Sequence, residues 1–255
     1  MEVRAVEGLP EVRPGDDVAT LIAERVELRP DDVVCVASTI VSKAEGRQAN
    51  LTDFPAGEHA RSIADRIGQI AGEEKDPRFA QAVLEASDGL VLEAPIMLAV
   101  TPFGHITVNA GIDRSNVPDA DLLLLPRDPA ASARQLQEAL DTRVVVTDTS
   151  GRPFRYGQRG VAIGWAGMPA ARDWRGETDL EGKELEATVQ AVVDELAAAA
   201  NLVTGEGDGG TPVAVVRDWE FGDHAGSDLL FRNAEDDLVR AALEAWTFEE
   251  WAGDG

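Results

Sequence analysis

Apolar residues recur along the chain at both helical and strand-like spacings. Leu185, Val189, Val192 and Leu196 are four, three and four residues apart, which predicts a helix over residues 183–200. Short apolar runs that include β-branched residues predict strands at 33–37, 143–147, 161–165 and 212–216. Further helices are predicted at about 58–70, 77–86, 129–140 and 238–246.

Two of these helices follow an Asp-Pro pair, at Asp76 and Asp128, which supplies an N-cap and a proline at the first helical position. Two or three strands are expected between Leu90 and Val108, joined by hairpin-like turns because of the prolines there. Strands and helices therefore mix without strict alternation. This pattern predicts an α+β or irregular mixed α/β fold, with mixed sheets flanked by helices, and argues against a TIM barrel.

The length of 255 residues suits one domain over 1–255, which could divide into two lobes at about 1–120 and 121–255. No targeting segment and no apolar run long enough to cross a bilayer is visible in the sequence. The single cysteine, Cys35, excludes an internal disulfide. We therefore expect a cytoplasmic protein.

The chain is strongly acidic. It carries 47 acidic residues against 23 lysines and arginines, a formal net charge of −24. Such a field repels nucleic acid and anionic membranes, so neither is expected as a partner. Only Lys43, Lys75 and Lys183 are lysines. This depletion favours a protein adapted to molar salt over an ordinary acidic protein, since acidity alone does not require it.

Three of four polar segments follow predicted strands, where binding loops are often found. The first contains Ser38, Thr39 and Lys43, directly after the predicted strand 33–37. Two hydroxyls and an ammonium group suit phosphate oxygens. The alternative is a strand end with locally bonded hydroxyls and a solvated lysine.

The second polar segment is 109–116, in which Asp113 is flanked by amide side chains and a glycine. A carboxylate in this setting suits a hard cation next to a polar group of a nucleotide. The alternative is a turn closed by side-chain hydrogen bonds of the Asx type.

The third polar segment is 147–155. Asp148 and Thr149 end an apolar strand, and their oxygens suit Mg²⁺ or Mn²⁺. Arg152 and Arg155 follow closely and suit carboxylates or phosphates. The alternative for these arginines is structural pairing with nearby acids.

The fourth polar segment, 205–210, matches GxGxxG through its glycines. It follows a predicted helix and precedes a strand, which is the wrong order for a dinucleotide-binding turn. A flexible backbone that carries Glu206 and Asp208 is better interpreted as a phosphate and metal loop. An acidic surface turn is the alternative.

Other chemistries have little support in the sequence. His59, His105 and His224 lack metal-ligand spacing, and each is expected at the surface or at a strand edge. Cys35 lies in a predicted buried strand and is expected to be inert. No GxxxxGK(S/T) phosphate loop is present, so any nucleotide site is built differently.

Taken together, the polar segments resemble those of the F420-0:gamma-glutamyl ligase family, the coenzyme F420:L-glutamate ligases, in its haloarchaeal form. The resemblance is colinear from about residue 5 to residue 217, and the combination is specific where no single segment is. The matching segments are 8–10, 38–47, 109–116, 147–155, 157–158, 161–164, 173–176 and 205–207.

The resemblance implies an intertwined homodimer with a fold particular to the family. It implies an enzyme that joins L-glutamate to the deazaflavin coenzyme F420-0, with GTP as co-substrate. The products are F420-1 and then F420-2, with release of GDP and phosphate through an acyl phosphate. Mg²⁺ or Mn²⁺, two per site, is implied as the cofactor, and K⁺ is a further candidate.

Site residues are carried over by position. The implied contacts with GTP are Leu9, Pro10, Glu11, Val12, Ser38, Thr39, Lys43, Asn116 and the loop Thr204, Gly205, Glu206, Gly207, Asp208, Gly209, Gly210 and Thr211. The implied metal ligands are Asp113, Asp148, Thr149 and Glu206. Glu11 stands where the family commonly has an apolar residue, so only its backbone contact is carried over.

Asp113 and Asp148 are thereby expected in catalysis. Arg152 and Arg155 are expected to hold acidic substrate, on their charge alone. Two other functions fit the same segments: another nucleotide-dependent amide ligase on this scaffold, and a non-enzymatic protein that binds GTP and metal.

Overall fold

The structure, a computed structural model, describes residues 1–115, 117 and 119–246. Within them the chain forms seven α-helices and thirteen strands. The helices are α1 (Val18–Ala23), α2 (Ser38–Ala44), α3 (Glu58–Ala71), α4 (Pro77–Glu85), α5 (Pro129–Leu140), α6 (Val192–Thr204) and α7 (Leu238–Glu244).

The strands are β1 (Glu2–Ala5), β2 (Val33–Ala37), β3 (Gln48–Ala49), β4 (Gly89–Leu92), β5 (Leu98–Val100), β6 (Ile106–Val108), β7 (Leu122–Leu123), β8 (Arg143–Ser150), β9 (Arg159–Ala166), β10 (Ala171–Asp173), β11 (Val189–Gln190), β12 (Val213–Arg217) and β13 (Ala225–Ser227). Short 3₁₀ helices occur at Leu51–Asp53, Asn109–Gly111 and Ala234–Asp236. The mixed α+β fold class predicted from the sequence is confirmed.

The chain divides into two compact units, each of which is built from two separate stretches of the sequence. Unit 1 contains Met1–Gly46 and Pro126–Leu230, and unit 2 contains Arg47–Leu125 and the described residues from Phe231 on. This division differs from lobes at about 1–120 and 121–255, because the chain leaves unit 1 after Gly46 and returns to it at Pro126. Within unit 1 the exit and return points are joined by Glu45, whose carboxylate accepts from Arg127 N at 3.2 Å and Ser132 Oγ at 2.6 Å.

Unit 1 is built on a five-stranded sheet in the order β1-β12-β2-β8-β9. β2 and β8 run parallel, with Val33 opposite Arg143 and Ala37 opposite Thr147, while the other pairs in this sheet are antiparallel. The buried stretches Val33–Val36, Val144–Val146 and Val213–Val216 of the central strands are apolar, as expected where both faces of a sheet are covered. One face packs under α6, and α5 packs against β8 and β9. A second sheet, β11-β10-β13, completes unit 1.

Two glycines on β9 admit the flanking helices. A Cβ at Gly160 would lie 2.4 Å from Ala197 O of α6, and one at Gly164 would lie 2.3 Å from Pro129 O of α5. Both residues can face opposite sides because the register shifts between them: Val146 pairs with Gly164, but Thr147 pairs with Ala162. This β-bulge reverses the strand's alternation. Close helix contact on both faces therefore depends on glycine at these two positions.

Unit 2 contains the antiparallel sheet β4-β5-β6 and the short pair β3-β7. The amphipathic helices α3 and α4 bury Ile63 and Val83 against Ala99 and Leu122. Asp76 caps α4 by accepting from Arg78 N at 2.9 Å, with Pro77 at the first helical position. The Asp-Pro device and the hairpin-like strands predicted from the sequence are thus confirmed.

The helix predicted over 183–200 is wrong in its first half, since α6 begins at Val192. Leu185 N instead donates to Glu177 O at 2.8 Å, and Val189 pairs with Asp173 of β10. The helical spacing of apolar residues continues through 185–189, but the backbone groups there form their hydrogen bonds with other strands and loops instead of within a helix. Helix α2 was not predicted. No helix in the described part of the chain is long and apolar enough to cross a membrane.

We expect Gly160→Ala to destabilise the protein by about 1–3 kcal/mol, because the added methyl group meets the backbone of α6. Chemical denaturation measures the change in the free energy of unfolding. Gly151→Ala is the matched control, since nothing lies within 4 Å of a Cβ there. Equal stability of the two variants would contradict the close packing of α6 on β9.

Candidate functional site

Polar residues from separate segments meet where β2 and β8 end. The two strands are parallel, so their carboxyl ends lie side by side, with Ala37 opposite Thr147. Ser38 and Asp148 come next in the two strands, and Ser38 Oγ donates to Asp148 Oδ1 at 3.3 Å. Ser38 is buried and Asp148 is half-buried. The first and third predicted segments are therefore in direct contact.

The glycine-rich loop brings a second carboxylate to the same place. Thr149 Oγ1 donates to Glu206 Oε1 at 3.0 Å, and Asn201 Nδ2 of α6 donates to the same oxygen at 2.6 Å. The ends of the loop are tied together, since Thr211 Oγ1 donates to Thr204 O at 3.2 Å. Asp148 therefore contacts Ser38, and Thr149 contacts Glu206, so three of the four predicted metal ligands lie in two contacts near the carboxyl end of β8 in unit 1.

The remaining loop residues are open to solvent. Gly205, Gly207, Asp208, Gly209 and Gly210 are exposed, and Thr204 and Thr211 are half-buried. Gly205 and Gly210 have φ values of +69° and +61°, a backbone conformation that favours glycine. The exposed amides and small residues leave room for a ligand to approach the backbone.

The oxygen donors of Asp148, Thr149 and Glu206 are of the type that a hard cation prefers. Within the described residues no three His, Cys, Asp or Glu side chains are arranged to hold a metal ion. Two carboxylates and a threonine hydroxyl nevertheless fit Mg²⁺ or Mn²⁺, which proteins commonly hold by one or two carboxylates, with water and substrate phosphate completing the shell. The donor set therefore suits a cation shared with a phosphate-bearing ligand.

Lys43 lies on α2, about one and a half turns beyond Ser38. Its side chain is only 9% exposed, and Nζ lies 2.5 Å from Oε1 of Glu11, which is 58% exposed. The solvated lysine considered from the sequence is therefore wrong. Sequence reasoning also missed the side chain of Glu11, because no local pattern links two residues that lie 32 positions apart.

Residues 8–15 contact the carboxyl-terminal end of α2 and the side chain of Arg25. Gly15 N donates to Ala44 O at 2.8 Å, and Arg25 Nε donates to Gly8 O at 2.8 Å. In this segment Val12 is buried, Leu9 is half-buried, and Pro10 and Glu11 are exposed. Thr39, on the first turn of α2, is half-buried. Among these predicted contacts, Glu11 and Lys43 touch directly, and Ser38, Thr39 and Lys43 share α2.

Arg152 and Arg155 lie in the loop between β8 and β9, directly beyond Asp148 and Thr149. Both are exposed, and neither makes a hydrogen bond or ion pair with another described residue. The alternative of structural pairing with nearby acids therefore finds no support. Phe154 and Tyr156 in the same loop are fully exposed. The loop presents two cations and two aromatic rings to solvent.

Asp113 belongs to unit 2. Its Oδ1 accepts from Ser115 N and Ser115 Oγ, both at 2.7 Å, and its backbone pairs with Leu123. This is the side-chain-closed turn considered as the alternative for this segment. The metal role of Asp113 stays a prediction, and Asn116 lies outside the described residues.

The environments of Cys35 and of the three histidines do not suggest a catalytic role. Burial raises the pKa of the Cys35 thiol to about 12, so the thiol is neutral and inert. Burial lowers the pKa of His105 to about 4, which corrects its predicted surface or strand-edge position and keeps it neutral at pH 7. His59 and His224 lie 2.8 Å from Glu93 and Glu177 respectively.

The sequence was compared with protein families and with known proteins, and the matches cover the segments described above. A family model described as F420-0:Gamma-glutamyl ligase matches residues 8–218. The chain belongs to this family. Two relatives named coenzyme F420:L-glutamate ligase, from Natronomonas pharaonis and Archaeoglobus fulgidus, are 70% and 45% identical to it. They cover 98% and 96% of this chain, which covers 98% of each relative. A relative of the same name from Halobacterium salinarum is 63% identical over 98% of this chain and 99% of its own length.

Membership in the F420-0:gamma-glutamyl ligase family makes the chain a ligase. The region that matches the family model runs from Gly8 to just past the end of β12. The residues that meet at the ends of β2 and β8 all lie within that span.

We expect Glu11→Gln to lower the free energy of unfolding by about 1–3 kcal/mol, because it leaves the buried ammonium group of Lys43 without its carboxylate. Denaturant titration at constant salt measures the loss. Lys43→Met in the Glu11→Gln background should recover most of it, since no unpaired charge is then buried. A double variant no more stable than Glu11→Gln would contradict this account of the pair.

Proposed function

We propose that the chain joins L-glutamate to coenzyme F420-0 with GTP as co-substrate, giving F420-1 and then F420-2. The supporting observation is that the contacts Ser38–Asp148 and Thr149–Glu206 lie near the carboxyl end of β8, with the buried Lys43 on α2, the helix that begins at Ser38. A cation site and a buried lysine suit a triphosphate. Membership in the family and the names of the relatives supply the glutamate and deazaflavin substrates.

The proposed nucleotide site combines segments 9–12, Ser38, Thr39, Lys43 and the loop 204–211, with Asn116 carried over from the resemblance. Lys43 is the cation available to the phosphates. In the structure its charge is taken by Glu11, an exposed side chain that can move away. A bound phosphate would replace Glu11 as the partner of Lys43, so that the buried ammonium group is never left unpaired.

Asp148, Thr149 and Glu206 would hold Mg²⁺ or Mn²⁺, and the metal role of Asp113 in unit 2 stays a separate prediction. The cation supplies positive charge that offsets the triphosphate. This matters because the nucleotide, the glutamate and the phosphorylated coenzyme are anionic, and the protein itself carries −24. Two ions per site and a role for K⁺ are part of the proposal.

In the proposed reaction a carboxylate oxygen of F420-0 attacks the γ-phosphorus of GTP. The bond to the bridging oxygen breaks, which gives an acyl phosphate and GDP. The amine of glutamate then attacks the acyl carbon, forms the C–N bond, releases phosphate and loses a proton to water. Arg152 and Arg155, both exposed beyond Asp148, would hold carboxylates of the incoming substrates. A homodimer and a cytoplasmic location complete the proposal.

We expect purified protein, incubated in high salt with F420-0, L-glutamate, GTP and Mn²⁺, to add one or two glutamyl units and to release an equal amount of GDP. Mass spectrometry counts the additions, and reactions without GTP or with ATP are the controls. Glutamyl transfer with ATP alone would instead favour a related amide ligase. Stoichiometric GTP binding without any product would favour a non-enzymatic binding protein.

We expect Asp148→Asn and Glu206→Gln each to weaken Mn²⁺ binding by about tenfold or more, because each removes a charged ligand. Isothermal titration or electron paramagnetic resonance in the presence of GTP measures the affinity. Glu186→Gln, an exposed carboxylate of unit 1, is the matched control and should bind Mn²⁺ normally. Unchanged affinity in both site variants would remove the metal assignment.

A further inference from the structure

Unit 1 also contains a pocket of about 370 Å³ beside its edge strand β1. Four arginines line it (Arg4, Arg25, Arg29 and Arg217) together with Val26 and the carboxylate-bearing Glu27. The whole chain has 23 basic residues against 47 acidic ones. A concentration of four cations around one small pocket is therefore opposite to the overall charge of the molecule.

Arg4 is held in place by the alternation of β1. Its neighbour Val3 packs into the core under α6, so Arg4 projects from the other face of the sheet. The Nε of Arg4 is buried and has no hydrogen-bond partner among the described residues. Buried donors are normally satisfied by protein, water or ligand. Arg4 thus supplies the lining of the pocket with a positive charge.

The other arginines have partners of unequal strength. Arg217 is bound by Asp32 through two bonds of 2.8 and 2.6 Å, and it also donates to Glu27 O at 3.0 Å. Burial alone would raise the pKa of Asp32, but the bonds from Arg217 lower it overall, so this pair stays charged. Arg217 is thereby fixed at the wall of the pocket.

Arg25 donates from Nε to Gly8 O at 2.8 Å, and its Nη1 pairs with Glu24 at 3.2 Å. Arg29 is held less strongly, by a pair with Asp218 at 3.6 Å. Arg29 and Asp218 are 61% and 71% exposed, and exposed pairs of this kind contribute little to stability. An incoming anion with several oxygens can replace these carboxylates at small cost.

We propose that this pocket binds a small phosphate-bearing anion, at a site separate from Ser38, Asp148, Thr149 and Glu206. Guanidinium groups match the oxygens of phosphate in pairs, which ammonium groups do not. The volume lies at the lower end of the range for small-molecule sites, about 300–1,000 Å³, which suits a small molecule rather than a macromolecule.

The site lies apart from the proposed nucleotide site within the same unit. Asp32 directly precedes β2, and Arg217, which binds it, ends the neighbouring strand β12. Ser38 follows the other end of β2. β2 is about 13 Å long at the usual rise per residue. The proposal therefore stands on different residues from the ligase reaction and does not depend on it.

The test is a titration with inorganic pyrophosphate, followed by calorimetry at constant KCl and without divalent cations. Wild type and Lys43→Gln should both bind pyrophosphate saturably at the pocket, since Lys43 is not part of it. Arg4→Gln should weaken this binding by about tenfold or more, as expected for the loss of a charge-assisted contact. Arg29→Gln, at an exposed position, should weaken it less. Citrate, which carries carboxylates instead of phosphates, should bind more weakly than pyrophosphate.

Three results would overturn the proposal: equal affinity in wild type and Arg4→Gln, no saturable binding in wild type, or citrate binding as tight as that of pyrophosphate. Loss of binding in Lys43→Gln alone would place the anion at the proposed nucleotide site and would also overturn it. Thermal unfolding of Arg4→Gln checks its fold. If that variant does not fold, Arg29→Gln decides, because its side chain is exposed. Ligase activity without pyrophosphate should be unchanged in Arg4→Gln.

Discussion

The parallel pairing of β2 with β8 is the constraint on which the rest of unit 1 depends. In the five-stranded sheet the other neighbouring pairs are antiparallel. Antiparallel neighbours place their carboxyl ends at opposite edges, whereas a parallel pair places them together. Ser38 and Asp148 meet for that reason, although 110 positions separate them. Without this one pairing, hydroxyl and carboxylate would lie at opposite edges of the sheet.

Electrostatics then divides unit 1 into contrasting regions. Near the ends of β2 and β8 the hydroxyl group of Ser38 donates to Asp148. The hydroxyl group of Thr149 and the amide of Asn201 both donate to Glu206. Beside β1, four arginines line one pocket. A chain with a net charge of −24 would otherwise present a uniformly negative field to anionic molecules. The folded chain instead places carboxylates near the ends of β2 and β8 and arginines beside β1 within one unit.

Much of the fold was accessible from local patterns. The strands at 33–37 and 143–147, and the helices that follow Asp76 and Asp128, were predictable because apolar runs and cap residues act within a few positions. The start of α6 was not, because Leu185 and Val189 keep a helical spacing while their backbone pairs with β10 and with Glu177. Strand pairing of this kind is invisible to a local window.

The candidate site shows the same limit. Local sequence singled out Ser38, Asp148 and Thr149 as polar residues at the ends of apolar strands and Glu206 as an acid in a glycine-rich loop, and the family resemblance placed them in one site. Their mutual contacts depend on sheet order, which no single segment encodes. The pairing of Glu11 with Lys43, and the lining of the pocket by Arg4, arise from residues far apart in sequence. Neither has a signature in the chain that could be found before the fold is known.

The two hydrogen bonds that Glu45 accepts from Arg127 and Ser132 have a consequence for how the length of this chain can change in evolution. They hold the point where the chain leaves unit 1 next to the point where it returns, whatever lies between. The entropy of closing such a loop grows only with the logarithm of its length, by about 0.6 kcal/mol for each doubling. Residues 47–125 therefore form an excursion that can lengthen or shorten at little thermodynamic cost to the sheet. Evolution can vary the length of this excursion while leaving the ends of β2 and β8 as they are.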